Sequence, residues 1–181
     1  MYGEQYFLLA AVLVTGLSAW FDWRTGEIPN WLTLGPLALA PVAHAGFGFA
    51  REGWSAAGQG FAFSIVGIIT CGVIPIFLYR SGAIGGGDVK LLGAMGAMLR
   101  PMIGIETEMY SFIVAALYAP VRLAYEGKLL KTLGNSLLLV RNVFVPKEKR
   151  RELTTEMMSE LRFGPSIFVA TLIAILLHWR V

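Results

Sequence analysis

Residues 85–92 read Gly-Gly-Gly-Asp-Val-Lys-Leu-Leu, a carboxylate behind three residues without side chains. The chain around them is 56% hydrophobic and 15% charged. A second aspartate, Asp22, stands at the end of the first apolar run. Two carboxyl groups close together at a low-dielectric boundary cannot both ionise readily, so their protons leave in separate steps. The ionised member can then take a proton from water while its neutral partner hydrogen-bonds a carbonyl oxygen, which is the chemistry of amide hydrolysis. Gly85, Gly86 and Gly87 would permit backbone angles closed to other residues and let another chain approach closely. A helix starting near Asp88 would aim amide hydrogens at that carboxylate, which makes Asp88 the expected ionised partner. Lys90 would point away along this helix as an interfacial anchor. Taken singly, Asp88 reads as an N-cap and Asp22 as a helix-end acid; only a shared location makes them a pair.

The elements that must supply that location are membrane helices. Residues 5–21, 28–50, 54–79 and 163–179 contain no Asp, Glu, Lys or Arg. A bilayer-spanning helix takes about 20 apolar residues, and mean hydropathy is +0.63. Two further spans are expected: one over residues 91–99, borrowing residues 88–90 and 100–104, and one over residues 109–125 with Arg122 snorkelling. The expected fold is therefore all-α, a polytopic membrane protein of about six transmembrane helices, in one membrane-embedded domain over residues 1–181.

Threading these helices brings the two acids to one face. The stretch ahead of the first run holds no Lys or Arg, and Asp22 and Arg24 follow it. It is therefore not expected to be a cleaved signal peptide, and its N-terminus is expected outside. The second and third helices then form a hairpin, so the fourth starts where the first ends. Nine basic residues lie between Arg122 and Arg162. With that segment inside, Arg24, Arg80 and Lys90 also fall inside, while Arg51, Arg100 and Arg180 fall outside, as the positive-inside rule asks.

Residues 126–162 form the expected cytoplasmic connector. Leu129, Leu130, Leu133, Leu137, Val140 and Phe144 share one helical face suited to the inner membrane surface. Residues 147–162 read as a solvated helix whose basic residues are interleaved with Glu148, Glu152, Glu156 and Glu160, a poor match for nucleic acid. The single Cys71 excludes a disulfide framework or a cysteine metal site and reads as a small core residue. His44 and His178 read as interfacial residues far from the acids rather than a metal pair. Gly93 and Ala97, and likewise Gly67 and Gly72, offer small faces for helix packing.

The stretch Asp22 to Thr33, with Ile28, Pro29, Asn30, Leu32 and Thr33, and the stretch Gly85, Gly87, Asp88, Lys90 and Leu91 resemble the two signatures of type IV prepilin peptidases, the GxGD membrane aspartic proteases of leader peptidase family A24. Phe163 to Pro165 opens the last helix in the same manner. The resemblance implies that Asp22 and Asp88 are catalytic. It implies removal of a short basic leader from prepilins or pseudopilins, whose hydrophobic helix begins just after the cut, at the cytoplasmic face of the inner membrane. Gly85 to Gly87 would let the extended leader lie against the enzyme backbone. Pro29 would start the second helix, Asn30 would organise the turn near Asp22, and Glu27 with Arg24 would contact the leader. Larger members add an amino-terminal helix and a cysteine-rich zinc-binding insert, and also methylate the product. This chain has neither that insert nor its cysteines and is similar to the short forms of tight-adherence (Flp) pili or archaeal preflagellin peptidases. Methyl transfer is accordingly not expected, nor any cofactor or metal, and the oligomeric state stays open.

Two alternatives use the same acids. A presenilin-like or signal-peptide-peptidase-like protease would place them in adjacent late helices and carry a Pro-Ala-Leu signature, which is absent. A proton-coupled carrier would need polar groups near the bilayer midplane, where the sequence offers only Ser64, Thr70 and similar hydroxyls.

Overall fold

The computed structural model describes residues 4–125, 127 and 162–179. Among them every regular element is helical: α1 (Glu4–Thr25), α2 (Asn30–Glu52), α3 (Trp54–Arg80), α4 (Gly86–Tyr125) and α5 (Gly164–His178). Four of these helices are long and apolar enough to cross a membrane, and α5 is a shorter apolar helix. The chain divides into two compact units, Met1–Ala115 with Arg162–Val181, and Ala116–Leu161. The described part of the second unit is the end of α4 and the turn at Gly127. The surface helix expected from Leu129 to Phe144 and the connector after it lie outside the described residues.

In the first unit α1 packs on α5 and α2 packs on α3. Gly53 alone joins α2 to α3, with φ 78, a conformation that glycine adopts without a Cβ penalty. Large apolar side chains face outward, among them Leu13, Leu39, Phe77 and Leu176. That inside-out distribution suits a hydrocarbon solvent, which removes the penalty water would impose. At the end of the bundle where α1 stops and α2 starts, Trp20, Trp23, Trp31 and Tyr79 are each more than half exposed. Amphipathic rings of this kind favour the headgroup level.

The expected fourth span does not run on to residue 104. Its helix breaks at Arg100, where φ is 63 and ψ 174. The cause is Pro101, whose ring disfavours the α region for the residue before it, while its own fixed φ suits the first turn of a new helix. Residues 86–99 thus form a first arm and residues 101–125 a second, so the described residues contain six helical segments. The first arm is about 21 Å long at 1.5 Å per residue, and residues 91–99 are all buried. Leu91, Leu92, Met95, Ala97, Met98 and Leu99 form the centre of the core, with Leu8 and Ala11 of α1, Ala40 of α2, and Ile167 and Ile175 of α5 around them. A helix wrapped by protein on all sides need not match lipid, which is why hydropathy marks it weakly.

Breaking a helix inside an apolar bundle leaves carbonyls to satisfy. Pro101 has no N–H, so the Ala97 carbonyl has no donor four residues on. Ser64 Oγ of α3 donates to it at 2.7 Å, and His44 Nε2 of α2 lies 3.0 Å from the Met98 carbonyl. A carbonyl can only accept, so Nε2 carries the proton and Nδ1 faces Arg100 Nη2 at 3.5 Å. His44 is therefore not the interfacial residue expected; it is 2% exposed, stacked on Phe7 at 3.6 Å, and caps the buried arm. Of the small residues expected to pack helices, Gly67 is in place, but its partner on α4 is Gly96. Gly93 meets only Leu37 in ordinary contact, whereas Gly67 and Gly96 press backbone to backbone with no room for a Cβ on either.

Candidate active site

Asp22 lies in the last turn of α1. Gly26, at φ 76, ends that helix, and its N–H donates to the Asp22 carbonyl at 3.0 Å. A left-handed glycine just past a helix closes its last turn in this way. Glu27, Ile28 and Pro29 then cross to α2, which begins at Asn30 with Pro29 in the N-cap position. Asp88 lies in the first turn of α4 but is not its cap. It sits three residues after Gly85, and its Oδ2 accepts the Gly85 N–H at 3.1 Å. This is the backward half of a capping box, with a carboxylate satisfying a donor at the helix start.

The glycines do not supply the unusual backbone angles expected of them. None of Gly85, Gly86 and Gly87 has a positive φ. A Cβ on Gly87 would stand 3.3 Å from Ile28 Cβ, and one on Gly85 would stand 3.2 Å from Asp88 Oδ2. Their lack of side chains provides space, so that the connection between α1 and α2 can lie on the start of α4.

That packing brings the acids together. Asp22 and Asp88, 6% and 8% exposed, line a single cavity of about 310 Å³. Its wall also includes Glu27, Asn30, Gly85, Gly86, Gly87 and Lys90 of the residues nominated above, together with Gly26 and Ile28. Pro29 is outside the wall, at the head of α2. Lys90 does not point away as an anchor: its Nζ donates to Asn30 Oδ1 at 2.8 Å. Asn30 accordingly ties the start of α2 to α4 rather than organising the turn at Asp22.

Sequence reasoning missed Gly164. Its N–H, at the start of α5, donates to Asp22 Oδ2 at 2.8 Å in a buried setting. A Cβ there would lie 2.8 Å from the same oxygen. Each acid therefore accepts an amide hydrogen from a helix start, so this device does not single out Asp88 as the sequence reading supposed. The Phe-Gly-Pro stretch carried the signal, but only as punctuation before a helix. The two histidines do not meet, since His178 Nε2 lies 2.6 Å from Glu106 Oε2. No group of three His, Cys, Asp or Glu side chains positioned for a metal occurs among the described residues.

Ionisable groups also lie deeper than the sequence suggested. Glu108, in the second arm of α4, is 4% exposed, and its Oε1 has no hydrogen-bond partner. With His44 and Arg100 it gives the bundle the interior polarity that the carrier alternative was said to lack.

No curated protein and no solved structure matched the chain. A family model did match, that of the type IV leader peptidase family, over residues 7–120. The match runs from α1 through both arms of α4 and includes both buried aspartates. A bundle of apolar helices with a polar cavity at one end suits a peptidase that works on membrane-anchored chains. On that match over most of its length, this membrane protein belongs to the type IV leader peptidase family.

Proposed function

We propose that the chain is an aspartic endopeptidase that removes the N-terminal leader of prepilin-like proteins at the cytoplasmic face of the inner membrane, with Asp22 and Asp88 as its catalytic pair. The observation that carries this reading is the shared cavity: two carboxylates from the ends of α1 and α4, both buried, line one polar hollow. In the mechanism one aspartate, ionised, takes a proton from water as the oxygen attacks the scissile carbonyl carbon. The other, protonated, hydrogen-bonds the carbonyl oxygen and gives up its proton as the tetrahedral centre forms. As the second aspartate takes a proton back from a hydroxyl of that centre, collapse breaks the C–N bond, and the first aspartate passes its proton to the leaving amine. Both carboxyls must be held in place for this, and the Gly164 and Gly85 amides supply such holds.

The family match favours this reading over a carrier. The indole rings exposed around the cavity end support a position at headgroup depth, where a leader would meet the helix that follows it. The basic residues between Arg122 and Arg162 support the cytoplasmic side. Glu27, in the cavity wall, is suited to a basic leader.

The test is co-expression with a leader-bearing prepilin. Asp22→Asn and Asp88→Asn should each lower leader removal by at least about 100-fold, the scale of a lost acid–base group, seen as unshifted pilin on a gel. Mass spectrometry of the product should show a free, unmethylated N-terminus. Normal processing by both variants would end the proposal.

A further inference from the structure

A second cavity, of about 410 Å³, opens between α1 and α2, and every residue lining it is apolar. It begins where the acid cavity ends. Asn30 lines the acid cavity and Trp31 lines the groove. Phe21, the neighbour of Asp22, meets Trp31 edge-on with ring centroids 6.3 Å apart. From Trp31 the groove follows α2 through Gly35 and Leu39 to Ala43, with Val14 and Phe7 of α1 on its other wall. These α2 residues recur every fourth position and so share one helix face, rising about 18 Å.

The walls meet at Phe7, stacked on His44, and at Phe21, edge-on to Trp31, but α1 packs mainly on α5 and α2 mainly on α3. Gly35 has open space where a Cβ would stand, and Leu39 is 68% exposed. Small residues in a membrane groove let another helix backbone come close. An acyl chain would fill apolar space equally well, but it has no reason to adjoin two buried carboxylates. A substrate cut just before its own membrane helix does: when the scissile bond lies between the acids, the helix must stand beside them in the bilayer.

We propose that this groove receives the apolar helix that follows the leader, its first turns packing along Gly35, Leu39 and Ala43 while the preceding peptide bond occupies the acid cavity. The proposal rests on the leader-peptidase reading above and adds a helix-in-groove specificity surface to it. The full chain carrying Asp88→Asn, which holds substrate uncleaved, is co-expressed with a prepilin and bears a benzophenone side chain at position 39. Irradiation should join position 39 to the first turns of the substrate helix. The same probe at position 58, which faces open space on α3, should give no such adduct. Adducts to lipid alone at position 39 would overturn the proposal in favour of an acyl chain. In the otherwise unaltered enzyme, Gly35→Leu should raise KM about tenfold with kcat retained, the pattern of lost uniform binding; an unchanged KM would equally overturn it. The cross-linking pattern does not depend on which side chains do the chemistry. Failure of the groove is therefore distinct from failure of the protease reading, which normal cleavage by both the Asp22→Asn and the Asp88→Asn enzymes would show.

Discussion

Gly164 and Asp22 occupy space that neither could share with one more carbon atom. The glycine amide donates to Oδ2 at 2.8 Å, and a Cβ would lie at the same distance from that oxygen. Gly164→Ala should push the Asp22 carboxylate off its position while leaving the cavity otherwise intact. If Asp22 is catalytic, kcat falls by about 100-fold, since small misplacements of a reacting group cost that much. KM should change little. The buried Cys71 should stay unreactive to thiol reagents, showing that the bundle still closes. An unaltered kcat would mean that the α5 amide plays no part in holding the acid.

At the scale of elements, the first arm of α4 decides the architecture. It is short, it carries Asp88 at one end, and it stops at Arg100 inside the bundle because Pro101 follows. The stop is made tolerable by α2 and α3, which lend His44 and Ser64 to its last carbonyls. Ser64→Ala would leave the Ala97 carbonyl buried without a donor. It should destabilise the protein by about 1–3 kcal/mol, the cost of an unsatisfied buried polar group. A lowered thermal midpoint in detergent with leader removal retained would bear this out, whereas an unchanged midpoint would show that the carbonyl finds another donor. The Gly67 and Gly96 contact serves the same arm by letting two backbones touch where side chains would hold them apart.

At the scale of the whole molecule, the helices α2 and α3 form a hairpin turned at Gly53, and the acid cavity gathers the end of α1 with the starts of α2 and α4, while the start of α5 reaches Asp22 through Gly164. The turn before α2 and the turn after it should therefore lie on opposite sides of the membrane. With Cys71 buried and silent, Glu27→Cys should react with an impermeant thiol reagent only from the cytoplasmic side, and Glu52→Cys only from the other. Labelling of both from one side would dismantle the threading and with it the placement of the acids.

The sequence by itself determined the membrane class, the helices of the four uncharged runs, and the nomination of Asp22 and Asp88. Each is a matter of local composition or of counting crossings, and the bilayer reduces threading to an alternation that a linear chain can express. Only the tertiary structure decided the break at Arg100, the burial of His44 and Glu108, the Lys90 bond to Asn30, and the hold of Gly164 on Asp22. These join residues as far apart as 22 and 164, and no periodicity along a helix reports which distant backbone will arrive beside it. The three glycines show the difference most plainly. Their type announced that something must come close, but what came close was Ile28, and that depended on how three helix ends packed.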